Sequence, residues 1–570
     1  MIHFDHLLWR RFGTIALPYW CKDEKWQARG LLLLLVALLL GQTSFAVLLN
    51  EQTGEFTSAL AAKDADRFWI SIKKCLLVLT IAVPIYAFFY YVRDRLALQW
   101  RRWLTRSFLG SYFSHRAYYA LNASSEVDNP DQRMAEDINT FTQKSLFFLL
   151  VLVGALLQLV AFSGVLWTIS RELVVFLIFY ALIGTAVTVL GFGRLLIGLN
   201  FYQLKREADF RFSLVRVREN AEAIAFYRGE AQESGLVDQH FDEVFDNSKK
   251  LIWAQLKLNF FQYAYSFMTI VLPSMIIAGR VISGELEVGR AIQAAGAFAA
   301  ILVALTVIVD HFENLSKFIA GIDRLDGFAR FLAGTAKAKA GDEIEAVQDS
   351  YIAIQDLSLR TPNQERTLIK NLSLTINPGE GLMIVGSSGC GKSSLLRAIA
   401  GLWRSGDGRI IRPDQTEMLF LPQRPYMLLG SLRSQLLYPQ QARRIADDEL
   451  LELLERVNLP NIAARFGGLD AKLDWAKVLS IGEQQRIAFA RLLLTAPRYA
   501  LLDEATSALD GANEESLYRE LAGTSTTLIS IGHRLSILKY HQQVLELLGN
   551  GKWRLNPEYF KEKAAATYHA

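Results

Sequence analysis

Cysteine is scarce in this chain: three occur in 570 residues, Cys21, Cys75 and Cys390, far apart and without metal-ligand spacing. That excludes a disulfide scaffold or a structural zinc site as the organising principle. Net charge is scarce as well, because 61 Lys and Arg against 57 Asp and Glu leave a formal +4. Chains that bind nucleic acid carry a large basic excess or a dense basic stripe, so no nucleic-acid partner is expected. Charged residues make up only 21% against 51% hydrophobic, and mean hydropathy is +0.19. This balance is the reverse of what keeps a chain disordered, and it argues against a wholly soluble protein. Internal repeats and low-complexity segments are absent too. A length of 570 would give three or four domain-sized units if every part were globular.

Charge is missing altogether from six stretches before residue 310: Gly30–Leu49, Cys75–Val92, Ser145–Ile169, Leu173–Gly193, Phe260–Gly279 and Ala291–Val309. Each is long enough to cross a hydrocarbon layer of about 30 Å. A buried helix of a soluble protein keeps a charged face, and these have none. The first run is not expected to be a cleaved leader, since what precedes it is polar and mixed in charge, with Arg10, Arg11, Lys22, Asp23, Glu24 and Lys25. Six spans over residues 1–332 are the reading, and their orientation follows from the connections. The second-to-third connection carries Arg93, Arg95, Arg101, Arg102, Arg106, Arg116 and Arg133, and the fourth-to-fifth carries Lys205, Arg206, Arg211, Arg216, Arg218, Arg228, Lys249 and Lys250. The third-to-fourth connection is a few residues around Arg171, and the fifth-to-sixth sets Arg280 and Arg290 beside Glu285 and Glu287. Both termini are therefore expected in the cytoplasm. No charge interrupts the runs, so no intramembrane ionic site marks a cargo.

After the sixth run the texture changes. Residues 333–350, containing AGTAKAKAGDEIEAVQD, read as a linker, and 351–556 alternate short β-like runs (YIAI, NLSLTI, GLMIVG, YALLDEA, TTLISIG, QVLELL) with helical ones. That alternation predicts an α/β domain with a largely parallel sheet, followed by a tail over 557–570.

The chemistry concentrates there. Gly386-Ser-Ser-Gly-Cys-Gly391-Lys392-Ser393 fits GxxxxGK[ST] between the apolar run LMIV and a helical pattern, the context this phosphate-binding loop requires. Glycines let backbone N–H groups point inward, the following helix lends its positive end, Lys392 reaches the β/γ oxygens of a nucleotide and Ser393 can ligate Mg²⁺. Cys390 reads as a tolerated small residue of this loop in preference to a redox switch. Tyr499-Ala-Leu-Leu-Asp503-Glu504 is an apolar strand ending in two carboxylates, in which Asp503 can hold Mg²⁺ through water and Glu504 can take a proton from attacking water. Leu479-Ser480-Ile481-Gly482-Glu483 opens the helical run RIAFARLLL. A hydroxyl and free N–H groups at a helix start make an anion site, although in isolation the same pattern is an ordinary capping box.

The set resembles the nucleotide-binding domain of ABC transporters. Gly386–Ser393 matches Walker A, Leu479–Glu483 the LSxGE signature, Asp503 the end of Walker B and Glu504 the catalytic carboxylate. Gln423 in LPQRPYM matches the Q-loop, Ser507–Asp510 the D-loop and His533 in SIGHRLS the switch histidine. The resemblance implies ATP and Mg²⁺ as cofactors. Gly386, Ser387, Ser388, Gly389, Cys390, Gly391, Lys392, Ser393 and Ser394 would surround the phosphates, with Ser480, Gly482, Glu483 and Asp510 contributed across a dimer. Ser393, Gln423 and Asp503 would serve the metal, and Glu504, His533 and Gln423 catalysis. One departure is that no aromatic residue stands near Leu357–Thr361, where the family usually stacks adenine.

In the membrane half, Gln99–Thr105, Arg116–Tyr119, Val127–Asp137 and Glu207–Glu222 running into AIAFYRGE resemble the SbmA/BacA-like and subfamily D branch, as does Phe420–Pro439. From spacing, Glu207/Arg211 and Arg218/Glu222 are i,i+4 pairs on a solvated helix. The branch implies a six-helix, all-α transmembrane domain of type IV exporter-like fold followed by the α/β P-loop domain. It also implies a homodimeric half-transporter in a bacterial inner membrane, touching membrane lipid and moving a solute. A hydrophilic cargo of cobalamin or peptide type is the first expectation and acyl-CoA or lipid the second. An ATP-gated channel or regulator is the rival from another class.

Overall fold

The structure is a computed structural model describing residues 6–22, 24–122, 127, 130–335, 344–440, 443–532 and 534–556. The chain forms two compact units, residues 1–338 and 339–570.

The first unit is helical among its described residues: α1 (His6–Cys21), α2 (Lys25–Ala61), α3 (Ala65–Phe113), α4 (Ala117–Asn122), α5 (Pro130–Gln132), α6 (Ile138–Ile169), α7 (Arg171–Ala186), α8 (Arg194–Glu219), α9 (Ala221–Tyr227), α10 (Glu230–Ile282), α11 (Val288–Asp310) and α12 (Phe312–Thr335). Five helical stretches among the described residues are long and apolar enough to cross a membrane: Lys25–Ala61, Ala65–Asn122, Pro130–Ile169, Glu230–Ile282 and Val288–Val307. The expected fourth run, 173–193, stands apart. It lies on α7, whose 16 residues span about 24 Å, and then passes through a π-helical turn, Val187–Gly193, into α8.

Helices α1, α2, α3, α6 and α12 share a core. Tyr19 stacks on Trp100 at 5.6 Å between ring centres, and Trp100 meets Phe141 edge-on at 5.6 Å. Arg133–Asp137 forms a π-helical turn ending on a buried carboxylate. Asp137 accepts from Arg133 Nη1 at 3.0 Å and from Arg324 Nε and Nη2 at 2.9 and 2.7 Å, so two cations offset the desolvation of one anion. The i,i+4 expectations for the Glu207–Glu222 stretch are corrected. Glu207 accepts from Gln203, and Arg211 donates to Gln132 at 3.3 Å, tying that stretch to α5. Helix α8 stops at Glu219, so Arg218 and Glu222 do not share a continuous helix.

Helices α2 and α11 touch backbone to backbone. A Cβ at Gly289 would stand 1.8 Å from Gly54 O and 2.4 Å from Ser58 Oγ, and Gly289 N–H donates to Ser58 Oγ at 3.1 Å. Small residues are what allow such approach in a bilayer. Gly289→Val is expected to cost about 1–3 kcal/mol through overpacking, read as a lower aggregation temperature in detergent. Gly110→Ala, whose Cβ meets nothing within 4 Å, should be silent.

The second unit holds β1 (Glu345–Gln348), β2 (Ile352–Arg360), β3 (Thr367–Ile376), β4 (Leu382–Gly386), α13 (Lys392–Ile399), β5 (Gly406–Arg412), β6 (Met418–Leu421), β7 (Gly430–Ser431), α14 (Leu432–Leu437), α15 (Asp447–Arg456), α16 (Ile462–Arg465), β8 (Lys472–Leu473), α17 (Trp475–Val478), α18 (Ile481–Thr495), β9 (Tyr499–Asp503), α19 (Gly511–Ala522), β10 (Thr527–Ile531), β11 (Gln543–Gly549) and β12 (Lys552–Leu555). The six-stranded sheet has order β12-β11-β4-β10-β9-β6 and is parallel except at β12. Its inner strands LMIV, YALLD and TLISI are buried throughout and mostly apolar because both faces of the sheet are covered. A four-stranded sheet, β1-β5-β2-β3, is mainly antiparallel and packs over α13. Within the expected linker 333–350, α12 extends to Thr335 and Glu345–Gln348 is edge strand β1, paired with β5 and anchored by Glu345 to Arg409 at 2.8 Å.

Behind the sheet, His541 is buried. Its Nδ1 donates to Ile537 O at 2.9 Å, which leaves Nε2 to accept from the Ser530 hydroxyl at 2.8 Å. Burial pushes its pKa down to about 4. Protonation therefore favours unfolding: this domain should lose stability as pH falls from about 6.5 toward 4, by roughly 3 kcal/mol at most. His541→Gln should flatten that part of the pH–Tm curve.

Candidate nucleotide site

The site grows from three parallel strand ends. Strand β4 delivers the chain into the loop 387–391 with Gly386 at φ +144, Gly389 at +75 and Gly391 at +108. At Gly386 a Cβ would meet Leu547 O at 2.4 Å and Cys390 Sγ at 2.9 Å, so only glycine fits. Ser387, Ser388 and Gly389 are exposed, while Cys390 is buried beneath them, as a packing residue would be. Lys392 begins α13; its largely buried ammonium donates to Gly386 O at 2.8 Å and Ser387 O at 3.0 Å, folded back across the loop. Ser393 and Ser394 follow on the first turn, half-buried.

Strand β9, two strands from β4, ends on Asp503, which accepts from Ser393 Oγ at 2.8 Å. Burial pushes the Asp503 carboxyl above its ordinary range and Glu504 beside it adds to that, while the Ser393 hydroxyl opposes both. Such a carboxylate is poised for a cation to complete it. Hydroxyl and carboxylate oxygens from Ser393 and Asp503, with the Gln423 amide bonded to the neighbouring Glu504, offer the hard-oxygen set that suits Mg²⁺.

Glu504 turns the chain out of the sheet at φ +47, a conformation rare for a residue with a side chain, held by its N–H on Ile531 O at 3.3 Å. Its carboxylate accepts from Gln423 Nε2 at 3.0 Å. The structure thus joins Ser393 to Asp503 and Gln423 to Glu504. His533 lies outside the described residues.

Ser480, Gly482 and Glu483 sit at the start of α18. Ser480 Oγ accepts from Glu483 N–H at 3.2 Å, and Glu483 Oε2 accepts from Ser480 N–H at 2.9 Å, a reciprocal capping box. Burial pushes the Glu483 carboxyl up, but the Ser480 N–H and Arg465 at 2.6 Å outweigh it and hold it below its usual range. At Gly482 a Cβ would stand 3.1 Å from Ala508 O, so the signature is seated against the D-loop. Asp510 caps α19 through Asn513 N–H at 2.8 Å, which holds its carboxyl low. At the end of β2, Thr361 closes a turn with Arg366 where an adenine-stacking ring would stand, and Trp403 Nε1 donates to Arg360 O at 3.0 Å.

Three buried polar residues organise the site and escape a sequence reading. Gln485 donates to Gln423 O and Ser507 Oγ and accepts from Ala508 N–H at 3.1 Å, so one amide fastens Q-loop, D-loop and α18. Arg491 donates to Gln435 O at 2.6 Å and Tyr426 O at 2.7 Å, pinning the stretch after Gln423. Glu514 accepts from Thr506 at 2.6 Å, Ser536 at 3.2 Å and Arg534 at 3.4 Å, bracing both flanks of the catalytic loops.

Residues 16–282 match the family described as ABC transporter transmembrane region 2, and residues 369–507 match the family described as ABC transporter. An ABC transporter ATP-binding protein of Synechocystis is 44% identical over 94% of this chain and 82% of its own length. The ABC transporter D family member 2, chloroplastic, of Arabidopsis thaliana is 39% identical over 95% of this chain and 86% of its own. The human lysosomal cobalamin transporter ABCD4 is 32% identical over 88% of each. The chain belongs to the ABC transporters: a multi-pass membrane protein whose fused nucleotide-binding domain binds ATP and couples its hydrolysis to transport. Its likeness lies with subfamily D, and these relatives lend no support to the SbmA/BacA-like part of the resemblance.

Proposed function

We propose that the chain is a half-transporter that works as a homodimer in a bacterial inner membrane, with both termini cytoplasmic and the helical run 171–193 serving as a sixth span. The observation that carries the catalytic reading is the pair of hydrogen bonds Ser393–Asp503 and Gln423–Glu504, which tie one acidic strand-end residue to the phosphate-loop segment and the next to Gln423. In this reading loop N–H groups and Lys392 hold the phosphates, and Ser393 and Asp503 hold Mg²⁺, which supplies charge neutralisation at the β/γ oxygens. Glu504 orients the attacking water and accepts its proton, while the Gln423 amide fixes the carboxylate on the loop side. Ser480, Gly482 and Asp510 act on the facing subunit's nucleotide, and His533 completes the site. A carboxylate held this way in a strained backbone suits turnover better than gating, which needs only binding.

For cargo, the first reading is a hydrophilic solute of cobalamin or peptide type, supported by the likeness to the human lysosomal cobalamin transporter. A second reading, acyl-CoA or lipid, draws on a cavity of about 640 Å³ in the membrane unit lined mainly by apolar groups such as Phe45, Leu49, Val78 and Phe162, with Asn50 and Thr53 as polar exceptions. Proteoliposome ATPase measured against a panel of cobalamin, peptides and acyl-CoA separates them. Stimulation by cobalamin or peptide is expected; stimulation by acyl-CoA alone would overturn the first reading.

A further inference from the structure

We infer that the membrane unit holds a specific site for an anionic phospholipid, in a groove between α2, α3, α6 and α11 that is separate from the nucleotide site. The groove has a volume of about 280 Å³ and apolar walls that include Leu39, Phe89, Phe147 and Leu150, with Arg93 among its lining residues. It is open sideways, since Tyr90 and Val303 on its rim are 52% and 60% exposed. Exposed apolar walls within the apolar stretches of four helices face acyl chains.

Two cations, Arg93 and Lys144, and the imidazole of His311 stand near one end of it. Arg93 is the first charge after the run Cys75–Val92, Lys144 the last before Ser145–Ile169, and His311 follows Ala291–Val309 one residue beyond Asp310. All three therefore stand where the apolar belt gives way to headgroups, on the side of the membrane where Lys and Arg crowd the connections. Lys144 and His311 meet on Phe147, which lines the groove together with Arg93. Lys144 Nζ lies 5.5 Å over its ring and the His311 ring meets it edge-on at 4.9 Å, while Arg93 lines the same groove. Arg93 is paired with Asp94 at 2.9 Å and Lys144 with Asn314 at 3.1 Å. Asp94 is mostly exposed, and an exposed pair is worth little, so a phosphate can take its place. A lipid with a net negative headgroup satisfies the cations and covers the apolar walls at once; a zwitterionic lipid meets the walls but brings its own cation. Basic pockets between spanning helices on the positively charged side are the known chemistry of such recognition.

The test uses the full chain in vesicles of phosphatidylcholine doped with phosphatidylglycerol carrying a diazirine in one acyl chain. Photolabelling is expected within residues 147–158 or 303–307, with unlabelled phosphatidylglycerol competing. Arg93→Gln/Lys144→Gln should reduce labelling about tenfold or more. Gly154→Leu leaves the charges in place and fills the groove from the α6 side, where a Cβ would stand 3.6 Å from Leu39 Cδ2; it should abolish labelling there. Equal labelling by a phosphatidylcholine probe, or labelling unchanged in both variants, would overturn the proposal. Suppression by inorganic phosphate alone would do so too, in favour of a soluble ligand.

Discussion

Glu504→Gln is expected to lower ATP turnover by about 10²–10⁴-fold, the usual contribution of a positioned proton acceptor, while ATP affinity is retained. The amide keeps the size of the carboxylate and still meets Gln423, whose Nε2 donates to Glu504 at 3.0 Å in the native protein. What it loses is the ability to accept a proton from water. The nucleotide then stays bound, and the variant should accumulate as an ATP-loaded closed dimer on size exclusion. Single-turnover hydrolysis with bound nucleotide quantified by filter binding reads both halves of the expectation. Hydrolysis at the wild-type rate would remove Glu504 from the role of proton acceptor.

Lys392→Ala should act one step earlier. The ammonium donates to Gly386 O and Ser387 O, which holds it across the phosphate loop. A hydrogen bond to a charged group is worth about 1.5–3 kcal/mol, so its loss should weaken ATP binding by roughly 10–100-fold and abolish vesicle transport. A fluorescent-nucleotide titration reads the first and uptake the second. Unchanged uptake would point to an ion-driven route.

Much of this was legible because chemistry or solvent imposes it on residue type. The phosphate loop needs glycines at fixed spacing, and the φ values of Gly386, Gly389 and Gly391 are the reason. The spans announce themselves because hydrocarbon tolerates no charge. Less was legible where tertiary packing decides. The run 173–193 has the composition of a span, but the π-helical turn at Val187–Gly193 depends on neighbours and leaves no mark in apolar residues. Strand β1 hides in the polar EAVQ because an edge strand needs only backbone pairing to β5. The Arg218/Glu222 pair fails because the helix breaks at Asn220, a residue tolerated within helices. Gln485, Arg491 and Glu514 look like surface residues in sequence; what makes them hubs is burial, created by segments up to 65 positions away. The one faint signal is that Gln485 sits inside LSIGEQQR, two residues past the signature Leu479–Glu483.

The central claim is that the phosphate loop of one chain works against the Ser480 segment of another. With Cys21, Cys75 and Cys390 replaced by serine, the paired substitutions Ser387→Cys and Ser480→Cys, in a Glu504→Gln background, test it by oxidative cross-linking. The account predicts a cross-linked species of twice the chain mass that forms only when ATP is added. Cross-linking confined to single chains, or a dimer band indifferent to ATP, would contradict it.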